Sequence, residues 1–299
     1  MKRLLPPLLL LAGWTGWAQQ QILPDFQADP TARVFDGRVY LYPSHDLAGS
    51  TGWDMLDWHV FSSGDLKHWQ DHGVILAVKE LTWAKGHAWA PDCIERDGKY
   101  FFYFPADERI GVAVSDRPTG PFRDALGRPL INHGENGLFA IDPCIFVDDD
   151  GQAYLYFGGN SRLAVVKLKR DMITRDGDVQ ILPMPFYHEG IWVHKRKGLY
   201  YFSYPSDRGD KVANLLEYSV ARSPLGPFEY KGILLDNRSR NVHGSITEVR
   251  GAPYLFYHVQ GPSPYERRVC LAPLQYAADG SIVPLTTDPH FAPPKGDAK

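Results

Sequence analysis

Asp36-Gly37-Arg38-Val39-Tyr40-Leu41-Tyr42 is the first of five related stretches in the chain. A turn glycine followed by an aromatic-rich run returns in Asp97-Gly98-Lys99-Tyr100-Phe101-Phe102-Tyr103 and in Asp150-Gly151-Gln152-Ala153-Tyr154-Leu155-Tyr156. Two looser copies follow, Lys197-Gly198-Leu199-Tyr200-Tyr201-Phe202 and Arg250-Gly251-Ala252-Pro253-Tyr254-Leu255-Phe256-Tyr257. The five glycines stand 61, 53, 47 and 53 residues apart. An Asp-Gly pair between apolar runs marks a tight hairpin, because the turn needs positive φ, which Gly, Asn and Asp adopt at least cost. More strand-like segments with a shared ending lie behind the hairpins. Val60-Phe61-Ser62-Ser63 leads to Trp69, and Val112-Ala113-Val114-Ser115 leads to Gly120-Pro121-Phe122, echoed by Gly226-Pro227-Phe228. Four short strands per unit, written five times, predict an all-β chain folded as a five-bladed β-propeller with four antiparallel strands per blade. A two-sheet sandwich is the alternative, and it needs no repeat of this period.

Composition points the same way. The 299 residues include 15 Phe, 16 Tyr and 8 Trp beside 28 Gly and 24 Pro, a mix that favours strands and turns over helices. At 22% charged and 44% hydrophobic, disordered, coiled-coil and collagen-like readings fail. The balance of 32 basic against 35 acidic residues leaves no electrostatic footprint for a polyanion, which argues against nucleic acid as a partner. Lys2 and Arg3 precede a mostly apolar run from Leu4 to Leu11, and Gly16 and Ala18 offer small residues for cleavage before Gln19. Residues 1–18 are therefore expected to be a secretory signal peptide and 19–299 a single propeller domain, secreted or periplasmic, with no membrane span. Cys93, Cys144 and Cys270 are odd in number and lack metal-ligand spacing, so they are expected as small buried hydrophobes.

Counting back eight or nine residues from each turn glycine reaches the start of the preceding strand, which in a propeller is the innermost one, facing the channel mouth. Asp29, Asp142, Glu189 and His243 stand there in four units; the second unit offers Trp89 and Ala90. Three carboxylates and a histidine converging on one axis are costly for stability alone, because like charges raise one another's pKa, so the set reads as a working site.

The motifs Ala28-Asp29-Pro30, Ser44-His45-Asp46, Trp89-Ala90-Pro91-Asp92, Ile141-Asp142-Pro143, His188-Glu189-Gly190 and His243-Gly244-Ser245 resemble, in order and over about residues 24–275, those of glycoside hydrolase family 43. The resemblance implies a five-bladed propeller, so that 19–299 is one catalytic domain. It makes Asp29 the general base, Glu189 the general acid, and Asp142 the carboxylate that raises and orients the acid. It also implies a hydrated calcium or sodium ion beside His243, with no organic cofactor. Glycosidic cleavage with inversion needs such a pair of carboxyl groups, ~6.5–9.5 Å apart to admit a water.

Sugar rings bind to aromatic faces and bidentate polar groups, which makes Trp89 the first candidate for the substrate wall and Phe139 and Trp192 further ones. His45 and Asp46 close the first inner hairpin. Arg267 and Arg268 are adjacent in a strand, so only one can point inward. Asp92 is expected to tie its blade together rather than touch sugar. The implied substrates are arabinose- or xylose-containing plant glycans, with a secreted, exo-acting, inverting α-L-arabinofuranosidase and/or β-D-xylosidase as the leading expectation. A galactosidase or endo-arabinanase of the same family and a non-catalytic carbohydrate-binding propeller are the alternatives. The fructan-cleaving propellers are a further rival, but the Asn-Asp-Pro, Arg-Asp-Pro and Glu-Cys motifs of that type are absent.

Overall fold

The computed structural model describes residues 20–208, 214–237 and 239–285. The expected signal peptide lies outside them. Among the described residues the chain forms five four-stranded antiparallel sheets. The strands run β1 (Gln20–Gln21), then β2 (Gln27–Phe35), β3 (Arg38–His45), β4 (Asp57–Ser63) and β5 (Gln70–Ala77) in blade I. Blade II holds β6 (Asp92–Arg96), β7 (Lys99–Ala106), β8 (Arg109–Ser115) and β9 (Arg123–Asp124). Blade III holds β10 (Cys144–Val147), β11 (Ala153–Phe157), β12 (Leu163–Leu168) and β13 (Gln180–Leu182). Blade IV holds β14 (Trp192–Arg196), β15 (Leu199–Ser206), β16 (Leu215–Ala221) and β17 (Glu229–Leu235). Blade V has β18 (Gly244–Val249), β19 (Ala252–Gln260) and β20 (Arg267–Pro273), and takes its outermost strand from the other end of the chain: β1 pairs with β20, Gln20 opposite Leu271 and Gln21 opposite Cys270. The five-bladed expectation holds, and this exchange of a terminal strand closes the ring.

The inner hairpins form as the Asp-Gly pattern dictates. At Asp36-Gly37 and Asp97-Gly98 both turn residues have φ between 49° and 76°. Lys197-Gly198 and Arg250-Gly251 adopt the same left-handed pair without an Asp. The third hairpin is longer, spanning 148–152 between β10 and β11.

A tyrosine five residues after the first three turn glycines links one blade to the next. Tyr42 donates to the carbonyl of Pro118 (2.7 Å), Tyr103 to that of Met172 (2.6 Å) and Tyr156 to that of Pro224 (2.7 Å). Each acceptor lies between the third and fourth strands of the following blade. The rings fill the blade interfaces, where Trp58 meets Phe102 at 5.8 Å and Tyr156 meets Phe202 at 5.9 Å. Burying such a ring contributes about 1.5–3 kcal/mol, and its buried hydroxyl must find an acceptor. Cys93, Cys144 and Cys270 are free and buried, as expected.

The inner strands β2, β6, β10, β14 and β18 surround the axis. Arg33 of β2 crosses it, donating to Asp92 of blade II and to the Ile145 carbonyl of blade III while lying 4.4 Å over the Trp192 ring of blade IV. Asp92 also accepts from the backbone of Ile145, so it ties three blades together and not its own alone. The Arg33 side chain thus joins blades I to IV around the axis.

Candidate active site

A bulge in β2 between Ala28 and Thr31 breaks the pairing with β3, and Asp29 there takes φ 49°. Asp142, two residues before β10, takes φ 53°. Gly190 follows Glu189 at φ 59°, and a Cβ on it would come 2.5 Å from His243 Nε2, so the chain beside Glu189 must be glycine. These bends turn the ends of the inner strands toward the axis.

His243, the residue before β18, stands at the centre. Its Nδ1 lies 3.5 Å from Asp29 Oδ1, and its Nε2 lies 3.5 Å from both Asp142 Oδ2 and Glu189 Oε1. That Nε2 is buried without a partner in hydrogen-bonding geometry. Burial works against the imidazolium, but Asp29, Asp142 and Glu189 outweigh it and raise the His243 pKa to about 9.

Asp29 accepts from Arg267 Nη1 at 2.7 Å and from Ser44 Oγ at 2.6 Å. Its backbone N–H donates to His258 Nδ1 at 3.1 Å. Burial disfavours its charge, yet Arg267 and His243 hold its carboxyl well below the usual range, so Asp29 is ionised. His258 is buried and pushed down to about 3, by burial first and then by Arg267, which keeps it neutral and able to accept that N–H. Asp46 fixes Arg267 with three hydrogen bonds, to the backbone N, Nε and Nη2, at 2.9, 2.9 and 2.8 Å.

The other two acids are shifted in opposite directions. Burial pushes Asp142 well above the carboxylate range, reinforced by the charges of Glu189 and Asp29. For Glu189 burial is outweighed by His243, and its pKa falls below the ordinary value. Both carboxyl groups lie 3.5 Å from His243 Nε2, so the two acids titrate as one coupled pair. Glu189 is the most open of the three, with 12% of its side chain exposed against 6% for Asp142 and 4% for Asp29.

The acids line a cavity of about 200 Å³ walled by Trp53, Met55, Trp89, Phe139 and Ile141, with Asn241 and Arg267 at its polar side. Trp58 donates to the Trp89 carbonyl and Trp89 Nε1 to the Trp53 carbonyl, both at 2.8 Å, which locks the aromatic wall. A larger cavity of about 490 Å³ opens at the opposite mouth. Its acids, Glu95, Asp149 and Glu248, are exposed, which leaves the buried set in the smaller cavity as the candidate site.

Matches with known proteins agree with the geometry. The family model "Glycosyl hydrolases family 43" matches residues 18–282. The chain belongs to glycoside hydrolase family 43. It is accordingly a glycosidase that hydrolyses O-glycosyl bonds. A xylosidase/arabinosidase of Bacteroides ovatus is 34% identical, over 87% of this chain and 95% of that protein. A family 43 β-xylosidase/α-arabinofuranosidase from a compost microbial metagenome, solved with xylotriose in a calcium-free form, superposes with a TM-score of 0.82 at 32% identity, covering 90% of this chain and 98% of the other. An α-L-arabinofuranosidase of Clostridium thermocellum is 39% identical with a TM-score of 0.77, over 88% and 95% of the two chains.

Of the residues expected at the family 43 site, Asp29, Asp142, Glu189, His243, Trp89, Phe139 and Arg267 line the cavity. Asp46 acts behind Arg267. Three expected residues lie elsewhere. Trp192 faces the opposite mouth, donating to the Ile246 carbonyl, because its place in β14 is three residues past the strand-start position that aims at the cavity. Arg268 alternates outward to Gln21 and lies over the Phe26 ring. His45 points away from Asp46 across the pleat and joins Asp57. Ser44, Trp53, Met55, Asn241 and His258 went unforeseen. Ser44 could have been found from the alternation with His45, whereas His258 arrives from the second strand of blade V, to which the count from the turn glycines gave no weight.

Proposed function

We propose that the enzyme is an exo-acting, inverting glycosidase that removes terminal α-L-arabinofuranosyl and/or β-D-xylosyl groups from plant cell-wall glycans. The observation that carries the reading is the placement of Asp29 and Glu189 against opposite nitrogens of one imidazole, each 3.5 Å away. We read carboxyl groups set against the two nitrogens of one ring as the wider pairing, ~6.5–9.5 Å, that admits a water, and not as the ~5–5.5 Å pairing of a nucleophile and acid acting in turn.

In this reading Asp29, held ionised by Arg267, takes the proton of the attacking water. The Asp142–His243–Glu189 group acts as one proton reservoir, and Glu189, its most open member, delivers the proton to the leaving oxygen while Asp142 resupplies it. A cavity of about 200 Å³ lies below the ~300–1,000 Å³ of pockets for drug-sized ligands and suits one terminal sugar. Trp53, Trp89 and Phe139 offer apolar faces for the ring, and Asn241 lines the polar side, where a hydroxyl would meet it. The names of the Bacteroides ovatus and metagenome relatives support the choice of pentosides.

A hydrated calcium or sodium ion would take His243 Nε2 as one ligand and water oxygens for the remainder, since a hard cation prefers oxygen, and it would have to displace the proton that the three carboxylates favour on the imidazole. Such an ion would supply fixed positive charge that holds the imidazole and steadies the carboxylates. Export is part of the same proposal, on the charge and apolar pattern of residues 1–18. A cut before Gln19 would leave Gln20 and Gln21 at the new terminus, where β1 closes blade V.

Proton NMR of the first-formed sugar from aryl α-L-arabinofuranoside and β-D-xyloside tests the reading. The expected product has the anomeric configuration opposite to the substrate's. A product of retained configuration overturns the mechanism, and turnover confined to hexosides overturns the substrate class.

A further inference from the structure

A second cluster of metal-ligating side chains stands on blade I, outside the cavity. The β3–β4 register pairs Val39 with Ser63, Tyr40 with Ser62 and Leu41 with Phe61, and the same register carried to the strand ends sets His45 opposite Asp57. His59 lies two residues beyond Asp57 and so shares its face, while the intervening Trp58 turns into the core. His45 Nδ1 lies 2.6 Å from Asp57 Oδ1, His59 Nε2 lies 3.9 Å from the same oxygen, and the two imidazole rings are 4.6 Å apart. One donor atom from each residue falls within 4.8 Å of the other two.

We propose that His45, Asp57 and His59 form a binding site for a divalent transition metal such as Zn²⁺, with solvent in the fourth position. Zinc bonds of ~2.0–2.2 Å at tetrahedral angles set donor atoms about 3.3 Å apart, and the observed 2.6 and 3.9 Å bracket that figure. His59 Nδ1 lies 3.2 Å from Asp71 Oδ1, so its protonated nitrogen is held by a carboxylate and Nε2 is left to ligate. This is the outer support that metal-bound imidazoles ordinarily have. The three side chains are 24%, 26% and 17% exposed, which leaves an entry path. Asp25 and Asp46 add negative potential at His45, and Lys79 opposes it at Asp57. Two nitrogen donors select this class of ion over calcium. The neighbours of His45 in the chain are Ser44 and Asp46, which hold Asp29 and Arg267, so a bound ion would brace the strand behind the catalytic base from its outer face.

The test is titration calorimetry with Zn²⁺ alone, and thermal unfolding with and without it, on the chelator-stripped enzyme. Wild type is expected to bind one equivalent that excess Ca²⁺ does not displace, and to melt higher with Zn²⁺. His59→Ala is expected to lose that equivalent and the thermal gain while keeping its hydrolysis rate in chelator. Asp71→Asn is expected to weaken binding ~10–100-fold. If His59→Ala fails to fold, His45→Gln takes its place. Zinc binding undiminished in these variants, displaced by Ca²⁺, or missing from wild type overturns the proposal, the last outcome leaving His45 and Asp57 as an ion pair only.

Discussion

Asp29 carries a cost that its chemistry explains. A non-glycine residue at φ 49° stores about 1–3 kcal/mol, and Asp142 repeats the conformation at φ 53°. Asp and Asn tolerate this region better than Ala, so Asp29→Asn is the cleaner probe of the charge. We expect Asp29→Asn to lower kcat ~10²–10⁴-fold on every leaving group. Glu189→Gln should lose a similar factor on natural oligosaccharides and far less on aryl glycosides with acidic leaving groups, which depart without protonation. Steady-state kinetics on both substrate types check the pair, and equal losses on both for Glu189→Gln would remove it from the acid role. The carboxylates were legible in the sequence because each stands at one register from a turn glycine. Their protonation was not. The coupling of Asp142 and Glu189 arises because His243 approaches both at 3.5 Å, a distance that no spacing along the chain encodes.

Strand β14 shows what an element decides. His194 alternates with Val193 to face Tyr276, with Nε2 2.7 Å from the Tyr276 hydroxyl, Nδ1 buried without a partner, and its ring stacked at 5.0 Å on Tyr201. Burial first, and then Arg196, push its pKa down to about 3 from the ordinary 6.5. The unfolded chain thus takes up a proton below pH 6.5 that the folded chain refuses until about pH 3, and the native state loses stability as pH falls through this window. The slope from one such group approaches about 1.4 kcal/mol per pH unit. His194→Phe is expected to flatten the decline between pH 6.5 and 4 by roughly that slope, read from denaturant unfolding at stepped pH. An unchanged slope would show that His194 is not held neutral. In the sequence this histidine could not be told from a ligand, because the tyrosine it pairs with lies 82 residues away.

At the scale of the molecule, the ring closes because β1 from the start of the chain completes blade V. Deleting residues through Gln21 should lower stability by about 1–3 kcal/mol, two ladder hydrogen bonds at ~0.5–1.5 each, and lower the melting temperature by several degrees. Calorimetry checks it, and a melting temperature equal to that of the intact chain would show that the closure contributes nothing. The repeat, the strand class and the register of the three acids were readable along the chain, since turn chemistry and side-chain alternation are local and recur every fifty residues or so. Which residues meet across blades was settled by packing. Arg267 reaches Asp29 over 238 positions and His258 over 229, Trp192 turns to the wrong mouth, and His45 leaves the cavity for Asp57. Those outcomes depend on the ring closing and on which face each pleat presents to the axis, and both are properties of the packed blades rather than of any one stretch of chain.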